Sequence, residues 1–193
     1  MSTTTPMIRL VVASTRPVRV GDQLAEQIAP RLAAATGANV EVTDLAELDL
    51  PFLDEPRMPA LGDYQQEHTK RWAQLIEGSD AVVFVSPQYN GGYPASLKNA
   101  IDFLYAEWDD KPGLLITYGG RGGGMAAEAL RNVFAFVKMR MVEPPVAITL
   151  GQDDYGPDGR LVDAAAVVAR NEPGLAAAGS ALAAEMAAEV SES

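Results

Sequence analysis

Residues 80–104, DAVVFVSPQYNGGYPASLKNAIDFL, decide the fold because they predict a strand, a loop and a helix in direct succession. Residues 81–85 form an unbroken apolar run with β-branched side chains, which is typical of a parallel strand covered by helices on both faces. Pro94 is tolerated at the start of a helix, and apolar residues then recur at helical spacing. The polar loop between strand and helix is therefore expected at the carboxyl end of a buried strand, where open α/β sheets bind ligands.

The same alternation of strand and helix recurs along the chain. The apolar runs predict strands over residues 7–13, 40–43, 81–85, 111–118 and 141–150, the last interrupted by Pro144 and Pro145. Pro30 lies inside the first helical pattern and predicts a kink or a break near Ala29. Five strands that alternate with helices predict an α/β fold of three layers, with a five-stranded parallel sheet in the order 2-1-3-4-5. A single domain over residues 1–193 is expected.

Composition excludes several classes of function. The chain has 193 residues and a formal net charge of −11, which disfavours nucleic acid as a partner. It contains no cysteine and one histidine, so disulfides, thiolate chemistry and a histidine-rich metal site are not expected, and no metal site is predicted. The N-terminal sequence has no basic region followed by a long apolar one, and no apolar run is long enough to span a membrane. We therefore expect a cytoplasmic protein without a membrane partner.

The loop after the first strand has the residues of an anion site. Ser14, Arg16 and Arg19 precede a helix whose free N–H groups and dipole favour a negative charge. Guanidinium groups make paired hydrogen bonds with phosphate oxygens, so the loop predicts a phosphomonoester ligand. The alternative is an ordinary polar turn with solvated arginines. The chain lacks both GxxxxGK[ST] and GxGxxG, which disfavours ATP and dinucleotide sites of those types.

The loops after the third and fourth strands predict a slot for a flat ring. Backbone N–H groups over residues 88–91 are candidates to bind the rim of a heteroaromatic ring, with Tyr89 along its face. The glycines of residues 119–124 permit close approach of a ligand to the backbone. Each loop taken alone is also explained as a glycine-rich connector. Together with the phosphate loop, they predict a site for flavin mononucleotide (FMN).

Three motifs resemble the NADPH-dependent FMN reductase family: STRPVR at 14–19, SPQYNGGYPASLKNAIDFL at 86–104 and TYGGRGGG at 117–124. The resemblance covers about residues 8–150. It implies a flavodoxin-like fold and a bound FMN that is reduced by NADPH or NADH. It further implies onward reduction of free flavin, quinones, azo or nitro compounds, or metal oxyanions. A homodimer or homotetramer in which neighbouring subunits help to close the flavin site is also implied.

The resemblance carries over to individual residues. It implies that Ser14, Arg16 and Arg19 hold the phosphate with backbone at Val20 and Gly21, that Pro87, Gln88, Tyr89, Asn90 and Gly91 line the ring, and that Tyr118, Gly119, Gly120 and Gly123 line its other edge. Two residues depart from the family pattern, because Ala13 replaces a glycine and Gln88 replaces a common glutamate. The second change leaves the flavin potential and the substrate preference open.

Hydride transfer between nicotinamide and flavin depends on stacking geometry, so no residue is assigned as a catalytic acid or base. Arg16 and Arg121 are candidates to meet the phosphates of NADPH, with solvated arginines as the alternative. Tyr105 and Trp108 lie beyond the apolar stripe of their helix and predict a subunit contact near the flavin.

The flavin reductase hypothesis has two alternatives from other classes of function. A non-enzymatic electron carrier or redox-sensing flavin module uses the same fold. A hydrolase is disfavoured, because His68 lies in a polar helical pattern and the chain has no GxSxG motif.

Overall fold

The computed structural model describes residues 5–190 of the chain. The strands in this range are β1 (Met7–Val12), β2 (Asn39–Asp44), β3 (Ala81–Pro87), β4 (Pro112–Gly119), β5 (Arg140–Met141) and β6 (Val146–Thr149). The helices are α1 (Gly21–Thr36), α2 (Leu45–Leu48), α3 (Glu67–Glu77), α4 (Ala95–Asp102), α5 (Gly124–Phe136), α6 (Ala164–Ala169) and α7 (Glu172–Val190). Residues 1–4 and 191–193 lie outside the described range, so a single domain over residues 1–193 stays a prediction.

The sheet is parallel in every pair and confirms the predicted order. Its strands run β2-β1-β3-β4, and both β5 and β6 pair with the far side of β4. The predicted fifth strand is therefore two short strands, one opposite residues 112–113 and the other opposite residues 116–119 of β4. Pro144 and Pro145 interrupt it, because proline has no N–H to donate to the sheet.

Helices cover both faces of the sheet and create two cores. Helices α1, α6 and α7 pack on one face, where Leu24, Ile28 and Leu182 are fully buried. Helices α2 to α5 pack on the other face around Trp72 and Phe134. Every residue of β3 is buried, as its unbroken apolar sequence predicts. Full burial of one large apolar side chain contributes about 1.5–3 kcal/mol. Among residues 5–190, no helix combines the length and apolarity that a membrane crossing requires.

The structure differs from two predictions about local structure, which concern the helix at Pro30 and the position of Trp108. Helix α1 continues through Pro30 without a break, because that residue lies on the exposed side, where the carbonyl that loses its donor is accessible to solvent. Trp108 does not face a subunit contact. It is fully buried, and its indole N–H donates to the carbonyl oxygen of Ile101 at 3.0 Å. Since α4 ends at Asp102, the chain turns after it and directs Trp108 into the core.

Candidate functional site

The loops that follow β1, β3 and β4 meet at one edge of the sheet. Backbone hydrogen bonds join the strand ends there, from Ala13 N–H to Val85 O at 3.0 Å and from Gln88 N–H to Tyr118 O at 3.2 Å. Between the loops lies a cavity of about 240 Å³, which we call the three-loop crevice. It is lined by Ser14, Arg16, Val18, Arg19, Val20, Pro87, Gln88, Tyr89, Tyr118, Gly119, Gly120, Tyr155 and Gly159.

Most of the residues that the sequence assigned to flavin binding line this crevice. The predicted residues that do not line it are Gly21, Asn90, Gly91 and Gly123. The lining residues that the sequence analysis missed are Val18, Tyr155 and Gly159. The last two lie about 140 residues after the phosphate loop, in a turn-rich segment without a motif. The only local indication of a binding role in that segment was its content of glycine and tyrosine.

Gly21 and Gly123 permit close packing behind the crevice wall. A Cβ atom added to Gly21 would lie 2.6 Å from the hydroxyl oxygen of Tyr118. A Cβ atom added to Gly123 would lie 2.7 Å from Cβ of Thr117, and the φ angle of Gly123 is +81°. Both positions therefore require glycine for the shape of the wall.

The loop after β3 contains a tight turn that removes some of the predicted donors. Asn90 and Gly91 both have positive φ angles, and Tyr89 and Gly92 exchange two backbone hydrogen bonds of 2.9 Å across them. This is the pattern of a type I′ turn. The N–H groups of Gln88 and Tyr89 are thus already bonded within the protein. The predicted set of N–H donors to a ring narrows to Asn90 and Gly91.

Gln88 connects the second loop to the third. Its side-chain oxygen accepts a hydrogen bond from the N–H of Met125 at 3.0 Å, in the first turn of α5. Met125 is itself 62% exposed. The same atoms in a glutamate would place a carboxylate here, so the glutamine removes a negative charge from the edge of the crevice.

Three hydroxyl groups form a cluster between the first loop and the other two. The Ser14 and Tyr89 oxygens are 2.5 Å apart, and Tyr118 also hydrogen-bonds with Ser14. Burial of Tyr118, with a smaller contribution from Tyr89, raises its pKa well above the ordinary value of 10.0. Tyr118 is therefore a neutral phenol throughout the physiological pH range, with a hydroxyl that can donate.

The phosphate end differs from the prediction in one arginine. Arg16 is exposed and has no hydrogen bond or ion pair within residues 5–190. Arg19 instead pairs with Asp44, whose other oxygen accepts from Ala46 N–H at the start of α2. Its Nε is buried and lacks a hydrogen-bond partner among the described residues. Part of the Arg19 guanidinium group is therefore used by Asp44, whereas the Arg16 side chain has no such ion pair among the described residues.

These features fit FMN in their donor chemistry. Helix α1 begins after Val20, whose side chain caps no N–H group, so the first turn of the helix is open to an anion. At the other edge, a Cβ atom added to Gly119 or Gly120 would meet no atom within 4 Å, so the backbone leaves room for a ring. The crevice therefore combines a cationic end with an open glycine edge.

Three larger cavities lie elsewhere on the surface of the described residues. One of about 530 Å³ lies between α2 and the start of α4 and includes the carboxylate of Asp49. A second, of about 610 Å³, lies between α4 and α5 and is mainly apolar. A third, of about 400 Å³, lies between α2 and α3. The first two linings contain no arginine, and the third has Arg71 together with the acidic Glu47. The three-loop crevice brings Arg16 and Arg19 together without an acidic lining residue, so it remains the candidate for a phosphate-bearing ligand.

Comparison with known proteins gives consistent matches. The family model for NADPH-dependent FMN reductase matches residues 6–153. The chain is 45% identical over 151 residues to an NAD(P)H-dependent FMN reductase of Schizosaccharomyces pombe, covering 77% of this chain and 76% of that protein. It is 34% identical over 123 residues to a quinone reductase of Pseudomonas putida, covering 60% and 64% of the two chains. The flavoenzyme NAD(P)H:(acceptor) oxidoreductase FerB of Paracoccus denitrificans superposes with a TM-score of 0.69 at 26% identity, covering 94% and 97%.

Proposed function

Because the chain belongs to the NADPH-dependent FMN reductase family and is an FMN-dependent NAD(P)H oxidoreductase, we propose that it binds FMN in the three-loop crevice and passes electrons to a quinone. The observation that carries the assignment of the site is the open cationic start of α1 beside the open glycine edge. The relatives named reductases favour the enzyme over the electron-carrier alternative.

At the phosphate end, the free guanidinium group of Arg16 and the first N–H groups of α1 bind the phosphate oxygens. The buried Nε of Arg19 supplies one further N–H. Hydrogen bonds to a charged group are about twice as strong as neutral ones, so this end supplies much of the affinity.

At the ring end, the chain supplies neutral donors and open space. In this proposal the rim approaches the turn at Asn90 and Gly91, which lies beside the crevice lining and has positive φ angles at both residues. Tyr118 contributes a neutral phenol, and Gly119 and Gly120 leave room for the ring. Gln88 is fixed by Met125 N–H and adds no charge.

FMN held in the crevice would supply the chemistry of hydride transfer between NAD(P)H and the acceptor. The chain's own residues bind and orient the reactants for this chemistry, and no side chain is required as an acid or base. In this proposal Arg121, which is exposed at the glycine-rich loop, contacts the additional phosphate of NADPH. A nearby cation favours NADPH over NADH.

A flavin titration tests the assignment of the phosphate end. The Arg16→Gln variant is expected to weaken FMN binding about tenfold, because it removes a charge-assisted contact, and to leave riboflavin binding unchanged. Arg71→Gln, which removes an exposed arginine on α3, is the matched control and should bind FMN like the unmodified protein. Equal FMN affinities for the Arg16 and Arg71 variants would contradict the assignment.

The proposed enzyme is a homodimer or homotetramer. Phe136 is 74% exposed and Met58 69% exposed, and both line the apolar cavity between α4 and α5. A contiguous apolar surface of this kind is typical of a protein interface, whereas single exposed apolar residues are not. In this proposal a second copy of the chain covers it. Sedimentation should show an oligomer that Phe136→Asp dissociates, whereas an FMN-bound monomer would contradict it.

The proposed location is the cytoplasm. Cell fractionation that recovers the protein outside the cytoplasmic fraction would contradict this location.

A further inference from the structure

A small hairpin after β6 lies against the phosphate loop. Tyr155 and Leu161 form an antiparallel bridge, and Gly156 N–H donates to Arg160 O at 2.8 Å. We call residues 155–161 the 155–161 hairpin. It lies beyond the part of the chain that the family model matches, which ends at residue 153. Its Tyr155 and Gly159 line the three-loop crevice.

Hydrogen bonds fasten this hairpin to the first turn of α1. The Gln23 side chain donates to Leu161 O and accepts from Leu161 N–H, both at 3.0 Å. Arg160 donates from one terminal nitrogen to the backbone oxygen of Arg19 at 2.6 Å. The same nitrogen lies 2.9 and 3.1 Å from the two carboxylate oxygens of Asp22. Arg160 therefore contacts both the end of the phosphate loop and the start of the helix.

The positive charge of Arg160 compensates the negative charge of Asp22 at the start of α1. A carboxylate in the first turn of a helix interacts favourably with the helix dipole, but it also repels a phosphate bound at the same end. The side chains of Asp22 and Arg160 are 32% and 35% exposed, so water screens them only in part. The ion pair offsets the repulsion, and the bond to Arg19 O holds the loop against the helix.

We propose that Arg160 is a positioning residue of the phosphate site, which keeps the phosphate loop in place and neutralises Asp22 so that the monophosphate of the flavin binds. This inference rests on the proposed function, because it assumes that the phosphate of FMN binds at the start of α1. It adds a residue that neither the motifs nor the family match contains.

Titration of the full-length protein with FMN and with riboflavin tests the inference. The Arg160→Gln variant should weaken FMN binding about tenfold and change riboflavin binding less than about twofold, because only FMN carries the phosphate. Asp22→Asn added to Arg160→Gln should restore most of the FMN affinity, since it removes the uncompensated carboxylate. A merely structural role would weaken both flavins equally and would not be rescued by Asp22→Asn.

Arg170→Gln is the matched control. Arg170 contacts both carboxylate oxygens of Asp154 at 2.8 Å, and Asp154 immediately precedes the hairpin. The substitution breaks this ion pair and removes one positive charge, as Arg160→Gln does, but at a position that does not contact α1. FMN affinity should not change. The inference is overturned if the unmodified protein binds FMN while Arg160→Gln binds it equally well or loses both flavins equally. Failure of the unmodified protein to bind FMN would overturn the proposed function and the inference with it.

Discussion

Replacing Asp44 is expected to destabilise the fold, because this residue holds two elements at the edge of the site. One carboxylate oxygen accepts from the guanidinium group of Arg19 and the other accepts from Ala46 N–H at 2.9 Å. The side chains of Arg19 and Asp44 are 17% and 10% exposed, so the ion pair is largely buried and has little contact with water. Loss of the carboxylate therefore leaves a partly buried cation without its partner.

The magnitude follows from the two contacts. Leaving the Arg19 charge uncompensated costs about 3 kcal/mol, the low end for a buried pair. Loss of the side-chain cap at the start of α2 costs about 1 kcal/mol. Asp44→Asn keeps an oxygen for the cap, so its free energy of unfolding should fall by about 3 kcal/mol, whereas Asp44→Ala should lose about 4 kcal/mol.

Urea unfolding of the flavin-free protein, followed by circular dichroism, measures both values. Asp63→Asn is the control, since Asp63 and Arg57 form an exposed ion pair whose loss should cost less than about 1 kcal/mol. The reasoning is refuted if Asp44→Asn unfolds within about 0.5 kcal/mol of the unmodified protein.

Three further predictions concern the crevice. Gly123→Ala should lower the free energy of unfolding by about 1–3 kcal/mol in urea titration, because its Cβ would lie 2.7 Å from that of Thr117 at a φ of +81°; unchanged stability would contradict the packing. The raised pKa of Tyr118 predicts that stability falls as pH rises above its ordinary value of 10.0, since the unfolded chain then loses a proton that the folded chain keeps; Tyr118→Phe should reduce this fall, and an identical pH profile would count against it. Arg121→Gln should raise the KM for NADPH several-fold with kcat and the KM for NADH unchanged, as steady-state kinetics would measure; equal effects on both nucleotides would remove its proposed role.

The sheet order was predictable because its strands carry a strong local signal. An unbroken apolar run such as residues 81–85 suits a strand covered on both faces, and right-handed crossovers limit how such strands are ordered. That order then places the loops after β1, β3 and β4 together. Most of the candidate site follows from these loops, because each lies next in sequence to a predictable strand.

The remaining features depend on contacts between distant residues. Arg19 appeared free because its partner Asp44 lies 25 residues later, at the end of a neighbouring strand. Arg160 lies 141 residues from Arg19 and meets it only when the hairpin folds against α1. No local periodicity encodes such pairs. Trp108 was misplaced for a related reason, since the helical stripe was extended past the point where α4 ends.

An absorption spectrum tests the central claim most directly. The purified protein is mixed with FMN, desalted and then given NADPH without oxygen, with NADH in a parallel sample. The account predicts that flavin remains with the protein and that its visible absorption is lost when the nicotinamide nucleotide is added. Retained flavin that keeps its absorption with both nucleotides would contradict the reductase activity, and a titration that shows no FMN binding would contradict the assignment of the crevice.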